Sequence, residues 1–172
     1  MEQRERRATV ALLMDKEGRI CLARKKKAIH RDGEEISYSL GMWNGYGGKM
    51  QEGDRDILST AIRELKEEAG IKAEEKNFEF VSRIYFFDSQ SEELFMDVCF
   101  FLVKGWKGKP KETKEMGPPS FFKETEIPYH EMMPADKVIF QKALEDKKYF
   151  AKIIFSGKNN PPEFIELEDE LV

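Results

Sequence analysis

Short apolar runs, bounded by turn-forming residues, recur along the chain and predict a fold rich in strands. Residues 8–14 predict one strand, residues 15–18 a turn and residues 19–24 a second strand, so this part of the chain should form a hairpin. Further strands are predicted over residues 78–87, 94–104, 120–123, 149–156 and 163–168. The last two should form a closing hairpin.

Two stretches show the three- and four-residue spacing of apolar positions that is typical of helices. Asp54 or Asp56 can cap a helix over about residues 57–69, and Gly70 ends it. Pro134 opens a second helix over about residues 135–147. The apolar faces consist of Leu58, Ala61, Ile62, Leu65 and Ala69 in the first helix and of Val138, Ile139, Ala143 and Leu144 in the second. Strands interrupted by two separated helices predict the α/β class, with a mixed sheet covered by helices on both faces (α/β/α).

Two long connections interrupt this pattern. Residues 25–41 are polar and irregular and predict a long loop, which leads into the glycine-rich residues 41–49. Loops of this length are often functional. Residues 105–119 are rich in Gly, Pro and Lys and predict another loop.

Composition narrows the range of functions. A length of 172 residues suits one domain over residues 1–172, and the 36% of charged residues are spread along the chain. The net charge of −4 argues against binding of duplex nucleic acid, although a small anionic ligand remains compatible with it. No apolar run is long enough for a membrane span. We therefore expect a cytoplasmic monomer that contacts neither membrane nor duplex.

Cysteine and histidine offer little material for catalysis. Cys21 and Cys99 each lie within an apolar run, which favours buried reduced thiols. The histidines, His30 and His130, are far apart in predicted loops. Catalysis should therefore rest on carboxylates.

Three glutamates give the first helix a carboxylate face. Glu64, Glu67 and Glu68 are three and four residues apart, so their side chains leave one side of the helix together. Taken alone, this pattern is more typical of a solvated acidic face. The glycine-rich turn immediately upstream favours a site for a hard divalent cation instead, and Arg63 is spaced to pair with Glu67 and hold the array in place.

These residues resemble the signature of the Nudix hydrolase family, which runs Gly, five residues, Glu, seven residues, Arg-Glu-apolar-any-Glu-Glu-any-Gly-apolar. The matching positions are Gly48, Arg63, Glu64, Leu65, Glu67, Glu68, Gly70 and Ile71. Asp54 stands where the signature has Glu, and one extra residue separates it from Arg63. The departure affects Asp54 and leaves the spacing of the carboxylates intact.

The resemblance extends over nearly the whole chain to the branch of that family that acts on oxidised purine nucleoside triphosphates. It implies the α/β/α Nudix fold and Mg²⁺-dependent hydrolysis of substrates such as 8-oxo-dGTP to a monophosphate and pyrophosphate, which cleans the nucleotide pool. Mn²⁺ is an alternative ion. By this likeness the metal would be bound by the Gly47 carbonyl, Glu64, Glu67, Glu68 and Glu115. Arg63 belongs to the catalytic group, with Glu64 or Glu67 as the base.

The same resemblance implies a substrate-binding set of Thr9, Lys25, Asn44, Phe86, Met96, Met116, Met133 and Asp136. Several of these positions have a simpler explanation from the residues alone. Asn44 is well suited to shape the turn before Gly45. Phe86 and Met96 suit the core of paired strands, and Lys25 belongs to a basic run that water would solvate.

Departures from that branch lie just before the second helix. The chain has Met133, Ala135 and Asp136 where the branch has Trp and two adjacent Asp residues. Asp136 lacks a like-charged neighbour, which removes one cause of a raised pKa, and we expect it to ionise more readily. An ionised carboxylate only accepts hydrogen bonds, so Ala135 favours a guanine-type base over 2-oxo-dATP.

Other functions share parts of this pattern. A Nudix pyrophosphatase for a normal dNTP, ADP-ribose or a dinucleoside polyphosphate would have the same carboxylate helix. A regulatory module that binds a nucleotide without cutting it is another alternative, as is an acidic scaffold without a ligand. The complete set of glutamates counts against the regulatory module, and the glycine-rich loop and the resemblance over nearly the whole chain count against the scaffold.

Overall fold

The computed structural model describes residues 6–27, 29–31, 34–36, 39–145, 147–156 and 161–171. Within these residues, ten strands and two α-helices follow one another. They are β1 (Arg7–Met14), β2 (Ile20–Arg24), β3 (Ile29–Arg31), β4 (Glu34–Ile36), β5 (Trp43–Asn44), α1 (Ile57–Ala69), β6 (Phe78–Asp88), β7 (Leu94–Lys104), β8 (Ser120–Phe122), α2 (Asp136–Leu144), β9 (Tyr149–Phe155) and β10 (Glu163–Leu167). The predicted strands and both predicted helices are therefore confirmed.

Eight strands form one mixed sheet in the order β10-β9-β6-β7-β1-β2-β5, with β8 paired to β2. The pairs β1–β7 and β6–β9 are parallel, whereas β1–β2, β6–β7 and β9–β10 are antiparallel. Strand β1 is an interior strand of this sheet and lies between β7 and β2.

Alternating side chains of β1 supply a core on each face of the sheet. Leu12 packs with Ile139 and Phe140 beneath α2. Leu13 lies on the opposite face and belongs to the cluster that Leu65 of α1 joins. Because each helix covers a different face, the predicted α/β/α arrangement is confirmed. Both cysteines are buried free thiols, also as predicted.

Capping fixes where α1 begins and ends. Asp56 is the N-cap: its Oδ1 accepts the Ser59 N–H at 2.8 Å, and the Ser59 hydroxyl oxygen accepts the Asp56 N–H at 3.0 Å. This reciprocal pair satisfies two of the donors that a helix start leaves open. Gly70 ends the helix in the left-handed conformation. The sequence left Asp54 and Asp56 as alternatives, and Asp54 has a different task, described below.

Two connections differ from expectation. Residues 25–41 were predicted to be an irregular loop, but β3 and β4 pair there as a separate antiparallel hairpin. Three-residue strands are too short to show an alternation that a sequence pattern could detect. The second helix ends at Leu144 instead of residue 147, since polar residues fill the positions between its last apolar residue and β9.

Parts of two predicted connections, at residues 28, 32–33, 37–38 and 157–160, lie outside the described residues. Among the helices that the structure describes, none is both long and apolar enough to cross a membrane.

Candidate active site

A glycine segment, residues 45–50, runs beside the first half of β1. Thr9 N–H donates to the Gly48 carbonyl at 2.9 Å, and Ala11 and Tyr46 exchange backbone hydrogen bonds of 2.6 and 3.0 Å. A Cβ atom on Gly47 would overlap the Thr9 carbonyl, and one on Gly48 would lie 2.5 Å from Glu64 Oε1. Glycine is therefore required here, because the backbone touches both β1 and α1.

Glu64 and Glu68 of α1 are buried beneath this segment, whereas Glu67 is exposed. Glu68 Oε2 accepts the Gly47 N–H at 2.8 Å. Burial raises the pKa of Glu68 to about 7, against the opposing effects of Lys25 and of this hydrogen bond. Burial also raises the pKa of Glu64, which Arg63 opposes. Two carboxylates that have lost much of their hydration are suited to a hard cation.

Arg63 joins the parts of this site. Its Nη1 donates to Glu64 Oε1 at 2.8 Å and to Glu67 Oε2 at 3.0 Å, and its Nη2 donates to the Lys49 carbonyl at 3.1 Å. The predicted pairing of Arg63 with Glu67 is confirmed. On its other side the guanidinium donates to both oxygens of Asp54, each at 2.9 Å. Arg63 is thus held in one orientation between its anchor and the carboxylates.

Asp54 is that anchor. It is buried, accepts hydrogen bonds from the Gln51 N–H at 2.9 Å and the Thr60 hydroxyl at 3.0 Å, and pairs with Arg63 through two oxygens. Arg63 is the main reason that the pKa of Asp54 is lowered to about 2. The residue that departs from the family signature therefore reaches Arg63 with its shorter side chain.

Glu115 approaches from the loop between β7 and β8. Its Oε1 lies 2.9 Å from Lys27 Nζ, and its carbonyl accepts the Lys26 N–H at 2.8 Å. The Thr113 hydroxyl donates to the Glu68 carbonyl at 3.0 Å, which fastens this loop to the end of α1. Charges on Glu115 contribute to the raised pKa values of Glu64 and Glu68, so the three carboxylates are electrostatic neighbours.

The carboxylates of α1 and Glu115 do not form a preassembled metal site among the described residues. Within the described part of the chain, no three acidic, His or Cys side chains meet in an arrangement that could hold a metal ion. Arg63 neutralises Glu64 and Glu67, and Lys27 neutralises Glu115. The oxygen donors and the desolvation of Glu64 and Glu68 fit Mg²⁺ or Mn²⁺.

A mostly apolar pocket of about 190 Å³, here called the base pocket, adjoins the glycine segment on the α2 face of the sheet. Gly47, Gly48 and Lys49 line the pocket, and Gly47 and Lys49 also form hydrogen bonds with Glu68 and Arg63 of α1. Seven of the eight residues predicted to bind substrate line it, namely Thr9, Lys25, Asn44, Phe86, Met96, Met133 and Asp136.

Met116, the eighth, lies elsewhere. It is fully buried in the core cluster of α1 with Leu65 and Tyr46, and it is not among the residues that line the base pocket. Its backbone bridges to Lys25, so the neighbouring backbone belongs to the site while the side chain packs in the core. Met116 therefore contributes to packing, in contrast to its predicted role.

Asn44 and Asp136 each use one oxygen to fix their own position. Asn44 Oδ1 accepts the Gly45 N–H at 2.8 Å, so the residue shapes the turn and also lines the pocket. Asp136 Oδ2 accepts the Met133 N–H at 3.1 Å. Burial raises the pKa of Asp136 to about 7, although no second carboxylate contributes to the shift. Desolvation alone is sufficient, without a second carboxylate beside it.

Two aromatic residues of the pocket were missed from the sequence. Phe95 lies 6.1 Å from Phe86 and 6.5 Å from Phe155 between ring centroids, and all three line the pocket. Phe86 pairs with Met96 and Phe87 with Leu94, so the register shifts at Phe95. Such a bulge redirects a side chain that regular alternation would place on the other face.

The chain is similar to known proteins over most of its length. The sequence model of the NUDIX domain matches residues 4–153. An oxidized purine nucleoside triphosphate hydrolase of Danio rerio is 31% identical over 85% of this chain and 85% of its own length. A protein of the same name from Mus musculus is 36% identical over 71% of this chain and 75% of its own.

Among solved structures, a mutator MutT protein from Bacillus halodurans superposes with a TM-score of 0.73. The match covers 95% of this chain and 99% of that chain, and its 22% identity supports the fold alone. Nudix hydrolases generally use divalent metals. The extent of the family match and the identities above 30% show that this chain belongs to the Nudix hydrolase family.

Proposed function

We propose that this Nudix hydrolase cuts oxidised purine nucleoside triphosphates such as 8-oxo-dGTP into a nucleoside monophosphate and pyrophosphate, and so cleans the nucleotide pool. One observation carries the proposal: an apolar pocket with aromatic walls and the carboxylate helix share Gly47, Gly48 and Lys49. A nucleotide can therefore place its base in the pocket and its phosphates over α1. The names of the animal relatives support the same substrate class.

The pocket offers two kinds of contact to a purine. Phe86, Phe95 and Met133 present apolar surfaces that suit the faces of the ring. Asn44 has its oxygen engaged by Gly45, so its Nδ2 group is the end that can donate to a base acceptor. The Asp136 carboxyl group can donate when protonated and only accepts when ionised.

Lys25 connects the base pocket to the carboxylate helix. Its charge lowers the pKa of Glu68 on α1 and also that of Asp136 in the pocket, each against a larger effect of burial. The ammonium group is thus close to both regions. We assign Lys25 to the phosphate chain near the sugar, where a cation would offset the negative charge.

At the phosphates, the Gly47 carbonyl and Glu64, Glu67, Glu68 and Glu115 would hold Mg²⁺, with Mn²⁺ as an alternative. When bound, such an ion offsets phosphate charge and orients the attacking and leaving oxygens. Glu64 or Glu67 accepts the proton of the attacking water. Glu67 is the more accessible candidate, because its side chain is 51% exposed and that of Glu64 only 8%. Arg63 is a positioning residue for both.

A substrate panel tests the proposal. Purified protein with Mg²⁺ is given 8-oxo-dGTP, 2-oxo-dATP, dGTP, dATP, ADP-ribose and a dinucleoside polyphosphate, and pyrophosphate or phosphate release is measured. We expect the highest kcat/KM for an oxidised purine triphosphate. A higher value for an undamaged or non-triphosphate substrate would indicate a different Nudix pyrophosphatase. Tight binding without any cleavage would indicate a regulatory module.

Four further properties stay predictions from the sequence. They are the single domain over residues 1–172, the monomeric state, the cytoplasmic location and the lack of binding to duplex nucleic acid or membrane. Light scattering at several protein concentrations tests the monomeric state directly.

A further inference from the structure

Two side-chain hydroxyls in the base pocket lack a hydrogen-bond partner. In the part of the chain that the structure describes, four buried side-chain polar atoms have none, and Thr9 Oγ1 and Ser39 Oγ, two of the four, belong to residues that line this pocket. Buried polar groups in folded proteins are nearly always hydrogen-bonded. Two exceptions in one pocket indicate that the partner is a molecule that enters it.

Ser39 is held in place by backbone contacts. Its carbonyl accepts the Met42 N–H at 3.2 Å, the Lys25 carbonyl accepts the Gly41 N–H at 2.8 Å, and the Met42 carbonyl accepts the Lys25 N–H at 3.0 Å. The turn over residues 39–42 is thereby fastened to Lys25, itself a pocket residue. The position of Ser39 does not depend on its hydroxyl, so rotation of its side chain breaks no hydrogen bond.

The other polar groups of the pocket are partly engaged within the protein. Asn44 Oδ1 accepts from Gly45 N–H, and Asp136 Oδ2 accepts from Met133 N–H. The Ser39 hydroxyl forms no such hydrogen bond among the described residues, and a hydroxyl can both donate and accept. While aromatic walls contact the faces of a ring, a group of this kind suits the nitrogen and oxygen atoms at its edge.

We propose that Ser39 is a base-binding residue, whose hydroxyl forms a hydrogen bond with an edge nitrogen or oxygen of the purine. This inference rests on the proposed function and adds a contact from the segment that follows the β3–β4 hairpin. It makes two expectations at once. Removal of the hydroxyl should weaken nucleotide binding, and it should not lower the Tm of the ligand-free protein, because no hydrogen bond within the described residues is lost.

Binding of the reaction product provides the test. The affinity of 8-oxo-dGMP is measured by titration calorimetry without added metal for the wild type, Ser39→Ala and Leu40→Ala, and Tm is measured without ligand. Leu40 is the matched control, because it lies in the same turn and is 40% exposed. We expect Ser39→Ala to raise Kd about 3- to 10-fold, as for loss of one neutral hydrogen bond, with an equal or higher Tm. Leu40→Ala should leave Kd unchanged.

The outcomes separate this inference from the proposed function. If the wild type hydrolyses 8-oxo-dGTP while Ser39→Ala binds 8-oxo-dGMP as tightly as the wild type, the inference is overturned and the function stands. A lower ligand-free Tm with unchanged Kd would assign the hydroxyl to the fold and also overturn it. If the wild type neither cuts 8-oxo-dGTP nor binds 8-oxo-dGMP, the proposed function fails and the inference falls with it.

Discussion

The carboxylate helix and the base pocket meet at the glycine segment. They differ in whether their polar groups have hydrogen-bond partners within the protein. On α1, Glu64 and Glu67 are bound by Arg63, which Asp54 holds in turn. In the pocket, the hydroxyls of Thr9 and Ser39 have no partner among the described residues. Like charges need internal cations to stay together, whereas a recognition site must leave some groups for its ligand. The two regions should therefore respond differently to substitution.

The largest effect is expected for the carboxylates of α1. Glu64→Gln and Glu68→Gln should each lower kcat about 10³-fold, since each removes charge that would hold the metal at the phosphates. Tm should be unchanged or higher, because burial already disfavours both ionised forms. Steady-state kinetics and thermal unfolding measure the two quantities. Exposed Glu52→Gln is the control, and near-normal kcat in both site variants would mean that the metal site lies elsewhere.

Substitution of Asp54, the anchor of Arg63, should lower activity less than substitution of the glutamates of α1 but more than substitution of a pocket residue. Asp54→Asn should lower kcat about 10- to 100-fold, because Arg63 would hold Glu64 and Glu67 less firmly in the orientation that binds the metal. Asp54→Glu, which restores the residue of the family signature, should recover most of the activity. Asp56→Asn is the matched control because it keeps an N-cap oxygen. Equal kcat for Asp54→Asn and the wild type would remove Asp54 from the site.

Base selection should depend on pH through Asp136. Its pKa of about 7 means that the carboxyl group is protonated below that pH and ionised above it. The ratio of kcat/KM for 8-oxo-dGTP over 2-oxo-dATP should rise about tenfold from about pH 6 to about pH 8, because the ionised form accepts from guanine N–H groups. The predicted guanine preference would then hold mainly at the higher pH. In Asp136→Asn the ratio should not change with pH.

Stability gives an independent check on the same group. The folded-state pKa of Asp136 is raised to about 7, while the unfolded chain titrates near the ordinary Asp value of about 3.9. The contribution of the protonated group is therefore full below about pH 4 and is lost as pH rises through about 7. Relative to Asp136→Asn, the unfolding free energy of the wild type should fall across this window. A constant difference would show that Asp136 is not desolvated.

The smallest effect is expected for substitution of Phe95, which forms part of the wall of the base pocket. Phe95→Leu should raise KM for 8-oxo-dGTP about 3- to 10-fold, which corresponds to the loss of one aromatic contact. The kcat value should stay near that of the wild type, because α1 is untouched. Phe80→Leu is the matched control: Phe80 packs on the α1 face against Phe101, away from the pocket. If Phe80→Leu alters KM as much as Phe95→Leu does, the change reflects general destabilisation.

Contacts between residues close together in the sequence could be predicted, whereas contacts between distant segments could not. The positions of Glu64, Glu67 and Arg63 follow from helical spacing, and their pairing was correct. Phe95 was missed because a register shift between β6 and β7 changes its direction, which no local pattern records. Met116 was misassigned for a related reason: it follows Glu115 directly, yet its side chain packs in the core beneath α1.

By itself, the sequence determined the order of the longer strands and of the helices, the C-cap of α1 and the carboxylate array, because these depend on residues within a few positions of one another. Only the tertiary structure decided that Asp54 anchors Arg63 and that β1, β6, β7 and β9 enclose one pocket. It also decided that the pKa of Asp136 is raised, since a pKa depends on burial by distant segments. The carboxylate helix can therefore be predicted from one short motif. The base pocket cannot, because it forms only when distant strands of the sheet come together.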